Sequence, residues 1–284
     1  MKAVRFLGIA LTLFGETALC FAGQDGIQKE YYDNGTLKAE VGYRNGKQDG
    51  WTKEYFPDGT LAVEQEFKEG LHDGKVRQYY PNGKLHLEQL FVGDRPEGLT
   101  KTYYETGALW KEWLFKNGKA DGVMKIFYES SRLKEEIPFQ EGVEEGPFKQ
   151  YYESGALRME GSYKDGKESG VIKGYYESGA LRAESQFKEG KADGTTKDYY
   201  EKGALQTQMN YKEGKRHGPA KGYYESGLLK KEANFVDDKQ EGVSRFYYPN
   251  GKLQTEETYQ NDQMTHRQKY DEAGKPILGK SAVP

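Results

Sequence analysis

The chain is short of the residues that most chemistry needs. It has one cysteine, Cys20, so an internal disulfide and a thiolate metal site are both excluded. Its four histidines, His72, His86, His217 and His266, share no spacing that would gather them around a metal. No nucleophile elbow, phosphate-cradling loop or calcium loop is written anywhere. The longest apolar run, Phe6–Phe14, falls well short of the roughly 20 residues that span a bilayer. Basic charge is not in excess either: the formal net charge is −3, which gives a polyanion such as nucleic acid no reason to bind. These absences leave no enzyme, no cofactor, no metal, no nucleic-acid partner and no small-molecule substrate to infer.

What remains is unusual. Charged residues make up 31% of the chain, a level that leans toward disorder, yet aromatics reach 14% with 23 tyrosines, and disordered chains are poor in aromatics. Glycine is abundant, at 36 residues. Aromatics, glycine and few aliphatics suit short strands joined by tight turns.

Residues 1–22 stand apart. MKAVRF supplies a basic start, Phe6–Phe14 an apolar core, and Cys20-Phe21-Ala22 small residues at the −3 and −1 positions. This is the pattern of a cleaved secretory leader, with a retained N-terminal anchor as the other reading, and it predicts export to the periplasm, the envelope or the medium. Cleavage after Ala22 also removes the only thiol, so the mature chain depends on packing alone.

From about Gly26 to Lys269 the sequence repeats every 24 residues without a gap. YYESGALR occurs at Tyr151–Arg158 and again at Tyr175–Arg182. An aromatic pair opens each copy, a Leu follows its first member by six, a Glu by nine in nine of ten copies, with Gln208 the exception, and another aromatic by twelve. Tyr31, Gly35, Leu37, Tyr43 and Gly50 define the first copy. Tyr151, Gly155, Leu157, Tyr163 and Gly170 define the sixth, and Tyr175, Gly179, Leu181 and Phe187 the seventh. A basic residue precedes each pair by two, from Lys29 to Arg245. Glycine recurs too often for a helix of about 12 residues to form. The three-residue segment Asp33–Gly35 reads as a hairpin loop, and Arg44–Asp49 as the return turn. Each copy is therefore one β-hairpin. Strict alternation places Tyr31, Leu37 and Tyr43 on one face and Tyr32 and Glu40 on the other, unless a β-bulge intervenes. About ten hairpins predict an all-β, elongated, twisted and curled antiparallel sheet over 23–270, as an open ribbon or a closed tube. Residues 271–284, where the pattern fails, are expected to form a cap and loose tail.

YYESGALRMEGSYKDGKESG from Tyr151 and YYESGALRAESQFKEGKADG from Tyr175 resemble the bacterial variant of the MORN repeat. The resemblance covers nearly all of the chain beyond the leader. It implies stacked hairpins, scaffolding, self-association and, in some members, membrane targeting. Many relatives carry a YwqK-like antitoxin label, which sits poorly with an export leader.

Departures from the repeat are the candidate functional positions. Trp110 replaces the usual Lys, Arg or Gln of its column, and an exposed Trp is a common binding anchor. Packing against neighbouring side chains is the other reading of Trp110, while the parity of Trp113 places it in the core. Trp110, Tyr104, Lys101 and Lys125 are the candidate partner-binding residues. In the fifth copy Ser131 replaces the turn glycine and Pro138 interrupts a strand, as a bulge or a hinge. The basic column suits anionic lipid, but the periodic Glu column opposite it suits mutual pairing. The expectation is an exported scaffold that binds a protein or a copy of itself. Peripheral membrane binding, toxin inhibition and sugar stacking on tyrosines are the rivals.

Overall fold

The computed structural model describes residues 25–277; the leader expected over 1–22 lies outside the described residues. Two kinds of turn alternate. At Asp33–Gly35 the Tyr32 N–H donates to the Thr36 carbonyl and the Gly35 N–H to the Tyr32 carbonyl, both at 2.8 Å. Gly35 sits at φ +82°, a left-handed conformation that glycine adopts without strain. The return turn at Asn45-Gly46 has φ of 51° and 74°. That is the type I′ geometry, whose twist matches the strands it joins. Ser131 takes the glycine's place in the fifth unit at φ 64° and keeps the same bond, from its N–H to the Tyr128 carbonyl at 2.9 Å.

Among the described residues there is no helix, and 25 strands form a single antiparallel sheet. The sheet is open. Its first strand, Gly26–Tyr31, pairs only with Leu37–Arg44, and its last, Pro276–Ile277, only with Gln263–Tyr270. Units are numbered here by their aromatic pair, the first at Tyr31 and the tenth at Tyr247.

The faces differ from those that strict alternation predicts. Tyr31 pairs with Leu37 as expected, but Glu30 then pairs with Ala39 and Lys29 with Glu40, leaving Lys38 as an extra residue. This bulge recurs in later units, as where Tyr175 pairs with Leu181 and Gly174 with Ala183. One extra residue inverts the side of everything beyond it. Tyr43 therefore lies with Ala39 and Val41, opposite Tyr31, and Glu40 lies on the Tyr31 side. A second irregularity at Gly50, φ +86°, carries the pairing from Val41–Thr52 to Tyr43–Gln48.

The resulting inner face is the core. Ala39, Val41, Phe67, Val76, Leu87, Phe91, Met124, Ile137, Phe139 and Phe148 are all buried there. Each unit is covered by its neighbours: Ala120, Met124, Ile137 and Phe139 pack with Trp113 and Phe115 from the unit before and Tyr163 from the unit after. Trp113 thus packs on the core as expected, although the bulge places it on the face opposite Leu109 and not beside it as strict alternation had it. Pro138 remains within the strand Leu133–Gln140 and pairs with Val123. Its column is left out of the ladder to the following unit, so its missing N–H is tolerated.

Candidate interaction surface

The outer face carries three columns running across the strands. In the first two, charge alternates without a like-charge neighbour. Glu40 is paired with Lys29 and Lys53, Glu64 with Lys53 and Arg77, Glu88 with Arg77 and Lys101. The Arg77 guanidinium donates to Glu88 Oε2 at 2.9 Å and to Glu64 Oε1 at 3.1 Å. Arg245 does the same for Glu256 and Glu232. Six of these glutamates also accept the hydroxyl of the first tyrosine of the next unit, 15 residues ahead, as with Tyr55 to Glu40 at 3.0 Å, Tyr79 to Glu64 at 2.8 Å and Tyr175 to Glu160 at 2.6 Å.

These bonds shift the titrating groups. The Lys29 and Tyr55 bonds hold Glu40 below the ordinary carboxylate range, and those of Lys197 and Tyr199 do the same for Glu184. Burial first, and the bond to glutamate second, push Tyr79, Tyr175 and Tyr247 up to about 12. Half-buried charges in direct register stabilise the sheet modestly, about 0.2–1 kcal/mol per opposed pair. They also leave few cations free for an anionic ligand. Among the described residues no three acidic, histidine or cysteine side chains gather to hold a metal ion.

The third outer column is different. Four residues before each aromatic pair, and opposite it on the next strand, units three to five place Leu90, Leu99, Leu114 and Val123. Leu99 and Leu114 are paired directly, at 48% and 45% exposure. Val123, 49% exposed, pairs with Pro138, and Leu90 lies against Gly98. The same column turns polar further along, where the Thr195 hydroxyl donates to Asn210 at 2.8 Å. The first-strand half of this column is apolar and exposed in other units too, at Ile27, Trp51, Val171 and Val243; what is local to units three and four is a large aliphatic on the second-strand half as well, Leu90 and Leu114. The sequence signal was available: once the bulge is counted, these positions fall on the outer face.

The four expected binding residues divide between the faces. Lys101 and Lys125 lie two residues beyond Leu99 and Val123 on the outer face, beside the stripe. Trp110 and Tyr104 lie on the other side, with ring centroids 5.8 Å apart. The Lys111 ammonium stands 4.1 Å from the Trp110 ring centroid. Trp110 is partly buried, covered in the way the packing reading describes.

No curated protein sequence matches the chain. Solved structures that match include "TcdB2-TccC3-Cdc42" at 14% identity and TM-score 0.17, and "TcdB2-TccC3-TEV" at 12% and 0.19. The matches cover 88% and 86% of this chain but only 15% and 16% of those chains, and at such low superposition they carry no argument. The family model described as "MORN repeat variant" matches ten times, over 24–45, 48–69, 73–92, 96–117, 120–141, 144–165, 168–189, 192–213, 216–237 and 240–261. With the hairpin unit, the open sheet and ten matched copies in agreement, the chain belongs to the MORN repeat variant family.

Proposed function

We propose that this chain is an exported, non-catalytic scaffold that binds a protein partner through the outer face of units three to five. MORN repeats are in general protein- and membrane-binding modules. The observation that carries the protein reading is the run Leu90, Leu99, Leu114 and Val123, large exposed aliphatic side chains on three consecutive units, with Leu99 and Leu114 directly paired. Soluble proteins rarely expose contiguous apolar patches without a use for them. Lys101 and Lys125 border the run and supply a polar rim. The membrane-surface reading has less support, because the backbone register sets each basic residue opposite a glutamate, Lys197 and Lys221 flanking Gln208 being the exception. A toxin inhibitor is one case of the same reading, with the toxin as partner. Export rests on the leader-like residues 1–22 and places the partner in the periplasm, the envelope or the medium.

The test is an affinity pull-down from envelope and medium fractions with three baits: the full chain, Leu99→Asp/Leu114→Asp, and Trp110→Ala. One captured protein that is lost with the double variant and kept with Trp110→Ala supports the reading. Capture lost only with Trp110→Ala moves the site to the inner face. A blank at low and at physiological salt removes the scaffold reading.

A further inference from the structure

Every first strand inside the array is flanked upstream by the second strand of the preceding unit, and it uses that strand in a recurring way. In six of the nine internal first strands the tyrosine hydroxyl donates back to the glutamate 15 residues earlier, as Tyr79 does to Glu64 and Tyr247 to Glu232 at 2.8 Å each. The strand's basic residue sits between that glutamate and the one on its own hairpin, as Arg77 does.

At Gly26–Tyr31 the downstream half of this arrangement is present and the upstream half is missing. Lys29 reaches Glu40 at 2.9 Å on the downstream side. Tyr31 is 58% exposed, whereas its counterparts from Tyr55 to Tyr247 are partly buried. The Tyr31 hydroxyl has no carboxylate partner among the described residues. Ile27, on the same face, is 70% exposed. Among the described residues no strand pairs with the outward row of its backbone groups, at Ile27, Lys29 and Tyr31, a ready template for another strand.

We propose that this edge accepts an extended strand of another protein by β-augmentation, and that the incoming strand carries a carboxylate opposite Lys29 within reach of Tyr31. Its chemistry is that of the chain's own second strands, Leu-x-x-Glu-x-x-aromatic, because six of the nine internal junctions show what completes the same half-site. A second copy does not fit. Its second strands are already paired on both sides. Its far end, Gln263–Tyr270, is a first-strand equivalent that carries Gln268, and no carboxylate, in the column of Lys29, so it offers Lys29 no opposite charge. Main-chain pairing would supply affinity and the carboxylate would set register, the division of labour seen in strand-addition complexes generally. The inference is independent of the outer-face stripe.

The probe is a fluorescein-labelled peptide with the sequence Leu61–Lys68, LAVEQEFK, titrated against the full chain by anisotropy. Saturable binding is expected, weakened roughly tenfold by Lys29→Glu through like-charge repulsion. A charge-swapped peptide, Glu64→Lys, should recover most of that loss against Lys29→Glu and bind poorly to the unaltered chain. Tyr31→Phe, which leaves the strand's shape intact, should weaken the original peptide severalfold and guards against a Lys29→Glu variant that merely frays. No saturable binding, or binding indifferent to Lys29→Glu and Tyr31→Phe, overturns the proposal. So does a chain that fails to bind the peptide but self-associates once Lys29 is replaced by Ala, since Lys29 would then be a guard against edge pairing.

Discussion

Adjacent tyrosines in each aromatic pair point to opposite faces and bond in opposite directions along the chain. In six units the first reaches back to a glutamate; where the second is a tyrosine it reaches forward. Tyr32 donates its hydroxyl to the Tyr55 carbonyl at 2.6 Å, Tyr80 to Tyr103 at 2.8 Å, Tyr176 to Tyr199 at 2.7 Å and Tyr224 to Tyr247 at 2.7 Å. Each such bond ties one hairpin turn to the next across 23 residues. The second unit has Phe56 at this position, so the Tyr79 carbonyl goes without its phenol. Phe56→Tyr is expected to add a hydrogen bond at nearly constant shape and to stabilise the second and third units by about 0.5–1.5 kcal/mol. Slower amide exchange confined to those units is the measurement; unchanged or faster exchange there would refute it. The tyrosine columns were legible in the sequence. Their division of labour was not, because two identical side chains in succession do not say which way each one faces.

At the level of the strand, the hairpins, both turn types and the pairing of Tyr31 with Leu37 followed from glycine spacing alone. The assignment of faces did not, because a single bulged residue at the Lys38 position reverses every side chain after it. That residue has no chemical mark: its column holds Lys38, Ala62, His86, Trp110 and Arg158. The same miscount hid the Leu99–Leu114 stripe and drew attention to Trp110. The glutamate column was legible, and so was its one exception. Gln208 lies between Lys197 and Lys221, and ahead of it Tyr223 has no carboxylate to bond. Gln208→Glu restores two opposite-charge cross-strand pairs, and a stabilisation of about 0.5–1 kcal/mol at low salt is expected, shrinking as salt screens it. A urea midpoint that fails to rise, or a rise indifferent to salt, would count against the ladder as a stabilising element.

At the scale of the whole array, every bond just described lies within a unit or joins it to an adjacent one, so the molecule is close to one-dimensional in its energetics. The hydroxyl staples span 23 residues and the tyrosine–glutamate bonds 15, and both distances are fixed by the period and not by position in the chain. Removing a whole period should therefore leave every contact with an equivalent partner. Deletion of residues 168–191 joins Lys167 to Ala192 in phase. The Tyr152 hydroxyl, which now donates to the Tyr175 carbonyl, would meet the Tyr199 carbonyl. Glu160 would accept from Tyr199 in place of Tyr175. Deletion of 168–179, half a period, removes a first strand and its turn, brings strands of the wrong type together and sets the columns out of register. The in-phase chain is expected to keep its strand content by circular dichroism and the amide protection of units one to five. The half-period chain is expected to lose protection on both sides of the cut. If the 24-residue deletion instead abolished protection in the distant first units, stability would have to come from a contact that spans the array, and the nearest-neighbour account of this sheet would be wrong.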